Sequence, residues 1–149
     1  MIVEALQTRL EVIDSFDRIL PVVLGVFESV TSVNPTRIGY VAGIITSDGP
    51  DNIDRNIREL LENTNRLRLE QEFPIFSAPD IFTKSVYRKI NESGKVTEGN
   101  FIDFWDKVLR SGYVTDIFMT PRWDASRGAV IEHFTAEDMK LHIHYLNKK

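Results

Sequence analysis

The chain of 149 residues contains no cysteine. This absence excludes disulfide bonds, thiolate nucleophiles and thiolate metal ligands together, and it fits an intracellular protein. The longest apolar run, residues 19–27, is too short to span a bilayer. Acidic residues precede this run, where a signal peptide would carry basic ones. We therefore expect no targeting segment, no membrane association and a cytoplasmic location.

Long basic runs are also missing, and the formal net charge is -4. A nucleic-acid polymer is therefore not an expected partner, because binding it requires a positively charged surface. A small ligand is compatible with this charge, since one or two local cations suffice to hold a single phosphate. The hydrophobic fraction of 42% and the length are those of one globular domain with a sizeable core.

Apolar residues spaced three and four apart predict a helix over residues 1–30, in which Pro21 should introduce a kink or a division. The apolar stripe of this helix is broad enough to pack either on the rest of the chain or on a second subunit. Both alternatives stay open, and we expect a homo-oligomer, a dimer or larger.

Beyond this helix, strands and helices alternate. The strands are predicted at residues 37–45, 73–77, 114–120 and 141–146, and the helices at 53–70, 97–110 and 129–139, with a further segment over 79–90. This alternation predicts an α/β domain with a mostly parallel sheet of four to five strands and helices on both faces. The loops after the strands, at 46–52, 77–80 and 121–128, should meet at one edge of that sheet.

The segment from Pro121 to Glu132 leads from the third predicted strand into the last long helix. Ser126 and Gly128 precede that helix, where a hydroxyl and backbone N–H groups can hold a phosphate or a sugar hydroxyl. Ser126 also fits an ordinary helix N-cap. Glu132 follows about one turn later, where the helix dipole should favour its ionised form. It is either a solvated helix residue or a carboxylate with a catalytic role.

Small residues also lie at the exit of the first predicted strand, namely Gly43, Thr46 and Ser47. They would let a ligand approach the backbone closely, although a plain tight turn has the same composition. The glycine spacing of a dinucleotide-binding loop and the lysine of a Walker loop are both missing. The three histidines have no carboxylate at a convincing ligand spacing. We therefore expect neither a cofactor nor a metal.

Two motifs together resemble the nucleoside 2-deoxyribosyltransferase superfamily. The first is Tyr40-Val41-Ala42-Gly43, and the second is Trp123-x-x-Ser126-x-Gly128-Ala129-x-x-Glu132, with an acidic helix before Asp116 between them. The nearest members are 2′-deoxynucleoside 5′-monophosphate N-glycosidases and uncharacterised deoxyribosyltransferase-like domains. The resemblance implies a flavodoxin-like three-layer fold. It divides the chain into an N-terminal helical extension, 1–34, and a deoxyribosyltransferase-like domain, 35–149.

The resemblance also implies roles for individual residues in cleaving an N-glycosidic bond. Glu132 matches the nucleophile, Tyr40 the tyrosine near the sugar, and Ser126 a serine that binds the 5′-phosphate of a nucleotide. Trp123, at the expected mouth of the site, could stack on the base. The partner implied is a small nucleoside or nucleotide.

The aspartate that protonates the base is harder to assign. In the family it lies eight residues before the acidic residue that opens the next strand, and here that position is Val108. A short insertion around residues 111–113 would assign the role to Asp106, with Asp103 as the second choice. Two alternatives to an enzyme stay open: a non-catalytic nucleotide-binding module on the same fold, and an assembly protein whose N-terminal helix mediates oligomerisation.

Overall fold

The computed structural model describes residues 2–147, and in them four strands and seven helices alternate as an α/β domain. The strands are β1 (Gly39–Ala42), β2 (Ile75–Ser77), β3 (Asp116–Met119) and β4 (His142–Tyr145). The helices are α1 (Ile2–Leu10), α2 (Ile19–Val33), α3 (Ile53–Glu70), α4 (Ala78–Ile81), α5 (Lys84–Ser93), α6 (Glu98–Leu109) and α7 (Arg127–Asp138). Three short 3₁₀ segments complete the set, at Phe16–Arg18, Pro50–Asn52 and Trp123–Ala125.

The four strands form one sheet in the order β2-β1-β3-β4, and every neighbouring pair is parallel. Gly39 at the start of β1 is in register with Ile75 of β2 and Asp116 of β3, so the strands begin level with one another. This topology confirms the predicted α/β class and the flavodoxin-like, three-layer arrangement. Each strand is shorter than its apolar pattern predicts, because beyond its ends only single hydrogen bonds, such as that from the Thr120 amide to the Ala42 carbonyl, continue the pairing.

Alternating residues of the strands face two different helix layers. Tyr40 and Ala42 of β1 belong to the large core cluster, which also contains residues of α1, α2, α6 and α7. Val41, between them, belongs to a second cluster with Leu60 and Leu67 of α3. A buried parallel strand covered on both faces reads as a continuous apolar run, which is why β1 was recognisable in the sequence.

The N-terminal helices are part of the same core as the sheet. Leu6 of α1 and Val23 and Phe27 of α2 are fully buried within the large cluster. The apolar stripe predicted over residues 1–30 therefore packs on the chain's own domain. The prediction that Pro21 divides this segment is wrong: the break lies at residues 11–15. Pro21 is the third residue of α2, in the first turn, where a missing N–H removes no intrahelical bond.

Three helices that surround the carboxyl edge of the sheet begin at side-chain caps. The hydroxyl of Thr83 accepts a hydrogen bond from the Val86 amide, and that of Thr97 accepts one from the Asn100 amide. Such caps stabilise a helix start by about 1 kcal/mol and fix where the helix begins. Ser126 does the same for α7. Within residues 2–147, no helix is long and apolar enough to cross a membrane.

Candidate active site

A cleft with a volume of about 830 Å³ opens at the carboxyl edge of the sheet. The three loops predicted to converge there do so: Thr46 and Ser47, then Ala78 and Pro79, then Ser126 to Gly128 all line it. Helices α3, α5 and α6 supply the remaining walls. Ligands of open parallel sheets bind at this edge, so the cleft is the expected location of a functional site.

Glu132 lies at the floor of this cleft, with only 8% of its surface exposed. The hydroxyl of Tyr40 donates a hydrogen bond of 3.0 Å to its Oε1 atom. Tyr40 is itself buried, and its ring stacks on Trp105 with a centroid distance of 4.8 Å. The structure therefore brings together the two residues that the resemblance assigned to the reaction centre, one from β1 and one from α7.

Burial dominates the electrostatics of this pair. It raises the pKa of Glu132 to about 8, and the hydrogen bond from Tyr40 opposes this only in part. Burial, followed by the neighbouring carboxyl, holds the pKa of Tyr40 well above its ordinary range, so the phenol stays a donor. The expectation that the helix dipole keeps Glu132 ionised is therefore not met. Glu132 is the sixth residue of α7, and the dipole acts mainly within the first turn.

The N-terminus of α7 is tied to the loop after β1. The hydroxyl of Ser126 accepts a hydrogen bond of 3.1 Å from the Ala129 amide, which confirms the N-cap interpretation of this serine. The hydroxyl of Ser47 accepts one of 3.2 Å from the Arg127 amide. Gly128 lies between these two bonded amides, and its own N–H has no intrahelical acceptor at the second position of the helix. That amide is available to a ligand in the cleft.

The glycine at position 43 is explained by packing. A Cβ atom there would lie 2.4 Å from the Oγ1 atom of Thr120, whose hydroxyl donates to the Ala42 carbonyl. Gly43 and Thr46 do line the cleft, as predicted. The requirement for glycine, however, follows from the close approach of β1 and the end of β3, and no ligand is needed to account for it.

Neither candidate for the base-protonating acid lines the cleft. Asp106 accepts hydrogen bonds from Arg110 at 3.0 Å and from Thr135 of α7 at 2.9 Å, where α6 and α7 meet. Asp103 forms an ion pair with Lys107 at 2.9 Å and has 64% of its side chain exposed. The acid role of Asp106 or Asp103 stays a prediction to which the geometry lends no support.

Trp123 also lies outside the residues that line the cleft. Its ring stacks on His133 at 4.5 Å, and the Nε2 atom of His133 is hydrogen-bonded to the hydroxyl of Tyr145 at 2.7 Å. This aromatic group packs between α7 and β4. The predicted role of Trp123 in stacking on a base is therefore not supported by its position.

Other aromatic residues do form a wall of the cleft. They come from α5, α6 and the turn between α4 and α5, and they are Phe82, Tyr87, Phe101 and Trp105. Tyr87 and Phe101 lie nearly parallel, with an interplanar angle of 8°. Trp105 is buried in the core and also lines the cleft.

Charged residues at the cleft that the sequence did not indicate are Asp54 of α3, Lys84 and Arg88 of α5, and Glu98 of α6. Glu98 accepts a hydrogen bond of 3.0 Å from Arg127 at the start of α7. These positions could not be found without knowing that α5 and α6 turn over the carboxyl edge of the sheet. Arg122, which follows β3, forms an ion pair with Asp48 at 3.0 Å.

A second polar cluster lies at the opposite, amino edge of the sheet. Asp116 opens β3, is fully buried, and accepts hydrogen bonds from Arg37, Thr115 and His144. Burial alone would raise the pKa of Asp116, but these three hydrogen bonds outweigh it and lower the pKa. The cluster joins the strand ends and is a structural element. Among residues 2–147, no group of three or more histidine, aspartate or glutamate side chains is arranged to hold a metal.

Comparison of the chain with protein-family models, with curated proteins and with solved structures gives no match.

Proposed function

We propose that this protein cleaves the N-glycosidic bond of a nucleoside or nucleoside 5′-monophosphate, with Glu132 as the nucleophile. The observation that carries the proposal is the buried hydrogen bond between Tyr40 and Glu132 at the floor of a cleft, beside the N-terminus of α7. A fixed carboxylate next to an anomeric carbon can form a glycosyl-enzyme intermediate. The resemblance of the two motifs to the deoxyribosyltransferase superfamily points to the same chemistry.

The geometry supports a different role for each of the two carboxyl oxygens of Glu132. Tyr40 holds Oε1, while Oε2 is the oxygen nearest Gly128. In the proposed reaction Oε2 attacks C1′, the bond from C1′ to the base breaks, and its electron pair leaves with the base. Water or a second base then attacks C1′ and releases Glu132 as a carboxylate. Water gives hydrolysis, and a second base gives transfer of the sugar.

Support for binding a 5′-phosphate comes from the start of α7. Gly128 and Ser126 line the cleft at a helix N-terminus, which favours an anion. Lys84 and Arg88 line the same cleft and add positive charge. We propose that these groups, together with the loop from Gly43 to Ser47, hold the sugar or phosphate end of the substrate.

The test is to incubate the protein with a panel of nucleosides and their 5′-monophosphates and to measure free base by chromatography, with and without an added second base. We expect release by the wild-type protein and its loss in Glu132→Gln. The matched control is Glu137→Gln, a glutamate of the same helix whose side chain is 56% exposed. Base release that survives Glu132→Gln, or that is absent for every substrate, refutes the proposal.

A second candidate function is a nucleotide-binding module without catalysis. The position of Asp106 and Asp103 outside the cleft favours it, because neither can protonate a departing base there. This candidate predicts that a nucleotide raises the melting temperature without being cleaved. The measurement is thermal unfolding in parallel with the base-release assay on the same samples.

Self-association and a cytoplasmic location stay proposals. The exposed apolar side chains of α7, Ile131 and Phe134, support a homo-oligomer formed through this helix more than one formed through α1 or α2. Most apolar residues of α1 and α2 pack in the chain's own core, and Val33 at the end of α2 is exposed. Light scattering on the wild type, on Phe134→Glu and on Val33→Glu, which alters the exposed end of α2, distinguishes the two. If the Phe134→Glu protein still has the mass of an oligomer, the α7 interface is refuted.

A further inference from the structure

The cleft contains one buried carboxyl group and, among the residues described, no second buried carboxyl group to act as its partner acid. Three carboxyl side chains line it among the residues described: Asp54, Glu98 and Glu132. Only Glu132 is buried. Asp54 lies at an exposed position in the first turn of α3, and Glu98 is exposed and bound to the guanidinium of Arg127. The structure therefore supplies a buried nucleophile without a buried partner acid.

This combination restricts the leaving group. When a neutral base departs from C1′, it takes the electron pair of the glycosidic bond and must be protonated, which is the task of a general acid. Such an acid contributes about 100- to 10,000-fold to a rate. A base that is already cationic needs no proton, because the electron pair of the broken bond neutralises its ring.

We infer that the substrates of this cleft are N-glycosides whose base carries a positive charge, such as a pyridinium or an N-alkylated purine. The inference rests on the proposed function, since it assigns the substrate class of the same nucleophile. The attack forms a bond from Glu132 to C1′ and releases a neutral heterocycle. Water then hydrolyses the ester, giving the free sugar, one proton and the Glu132 carboxylate.

The walls of the cleft fit such a ring. Phe82, Tyr87 and Phe101 line the cleft as one group of contacting rings, and the faces of aromatic rings attract cations. Ile53 and Ile57 of α3 add aliphatic surface, and the cationic side chains Lys84 and Arg88 line the cleft from α5. A cationic heterocycle would lie between this apolar wall and the buried carboxylate, with the charge of Glu132 directed toward the bond that breaks.

The deciding experiment compares N7-methylguanosine with guanosine, which differ by one methyl group and one charge, each tested as the nucleoside and as the 5′-monophosphate. Nicotinamide riboside serves as a second cationic probe. Free base is measured by chromatography at neutral pH, with Glu132→Gln as the control for cleavage at this site. We expect both cationic probes to be cleaved and the turnover of N7-methylguanosine to exceed that of guanosine by about 100-fold or more, the contribution of the absent acid.

The possible outcomes separate this inference from the proposed function. A ratio below 100-fold, with both nucleosides cleaved through Glu132, leaves the glycosidase function standing and overturns the inference. Cleavage of guanosine without cleavage of either cationic probe likewise overturns the inference and leaves the glycosidase function standing. Cleavage of none of the probes overturns the inference together with its use of Glu132 as a nucleophile, and nucleotide-induced thermal stabilisation in the same samples would then identify a binding module.

Discussion

Tyr40 and Glu132 are 92 residues apart in the chain and are joined by a hydrogen bond of 3.0 Å in its interior. The tyrosine ring packs against Trp105 on one element and Phe76 on another, with centroid distances of 4.8 and 5.3 Å. Such aromatic contacts fix the ring and contribute about 0.5–1.5 kcal/mol each beyond their buried area. The aromatic core of the protein thus determines where the carboxyl group of Glu132 points.

The first prediction concerns the pH dependence of base release. Burial raises the pKa of Glu132 to about 8, so only a minor fraction of the free protein carries the nucleophilic carboxylate at neutral pH. We expect kcat/KM to rise with pH and to level off above about 8, because the ionised form increases through that range. The measurement is initial rates on nicotinamide riboside between about pH 5 and pH 10. A profile that falls with pH would contradict a carboxylate nucleophile.

The second prediction concerns Tyr40→Phe, which removes the hydrogen bond that lowers the pKa of Glu132. Without it the pKa rises further, and the ascending limb of the kcat/KM profile should move to higher pH, by an amount equivalent to about 1–2 kcal/mol. The phenyl ring preserves the packing against Trp105. Tyr113→Phe is the matched control, since its hydroxyl donates to Glu28 at 2.5 Å at an exposed site. A profile that does not move in Tyr40→Phe would contradict the coupling of the two groups.

The third prediction is a gain in stability on Glu132→Gln. The folded-state pKa lies above the usual value of 4.5, so the folded chain binds more protons than the unfolded chain between these values. Stability is therefore lost as pH rises from about 4.5 to about 8, and the loss, on the order of 4 kcal/mol, is complete above that range. Glutamine keeps an oxygen that can accept from Tyr40 and avoids the buried charge.

The free energy of unfolding of both proteins, measured in urea at about pH 5 and about pH 9, tests this prediction. The advantage of Glu132→Gln should be several-fold larger at the higher pH. The same difference at both values would show that Glu132 does not titrate differently in the folded chain.

The general architecture could be predicted from the sequence, because it depends on local patterns. Buried parallel strands are continuous apolar runs, and the charged face and apolar stripe of α3 predict its bounds at residues 53 and 70, as observed. The division of the N-terminal segment could not be placed, since a proline in the first turn of a helix and one inside a helix look alike in a sequence. The Asp14-Ser15 pair was the better signal for the break.

The candidate site was predictable where it depends on loops that follow strands, because parallel topology alone brings Ser47 and Ser126 to one edge. The rest depends on tertiary packing. The depth at which Glu132 is buried, and with it the reversal of its expected ionisation, follows from how α6 and α7 cover the cleft. The side of α6 that faces the cleft is set by the same packing, which places Trp105 inside and Asp106 outside.

The fourth prediction concerns Gly128→Ala. A Cβ atom at this position would lie 3.9 Å from the Ser126 hydroxyl and 4.0 Å from Oε2 of Glu132, which are ordinary contacts, so the fold accommodates it. Alanine is the better helix residue, and the variant should be as stable as the wild type or more stable by up to about 1 kcal/mol. The added methyl group nevertheless occupies space beside the attacking oxygen, and we expect kcat/KM to fall at least tenfold.

Gly99→Ala provides the matched control, because Gly99 is likewise the second residue of a helix, and its Cβ would meet only the Thr97 hydroxyl at 3.7 Å. This variant should gain similar stability with unchanged kcat/KM. A Gly128→Ala protein as active as the control would show that no substrate approaches Oε2 from the side of Gly128.

The last prediction separates the motif-based role of Asp106 from its observed position. Asp106 accepts hydrogen bonds from Thr135 and Arg110, so Asp106→Asn should lower the free energy of unfolding by about 0.5–1.5 kcal/mol. Its side chain does not line the cleft, and we therefore expect kcat/KM for base release to change less than twofold. Loss of a general acid would instead lower kcat/KM at least 100-fold for a neutral base.

Asp103→Asn, measured beside Asp106→Asn on guanosine and N7-methylguanosine, covers the other candidate. A loss of that size in either variant, confined to guanosine, would show that α6 turns an aspartate into the cleft when substrate binds.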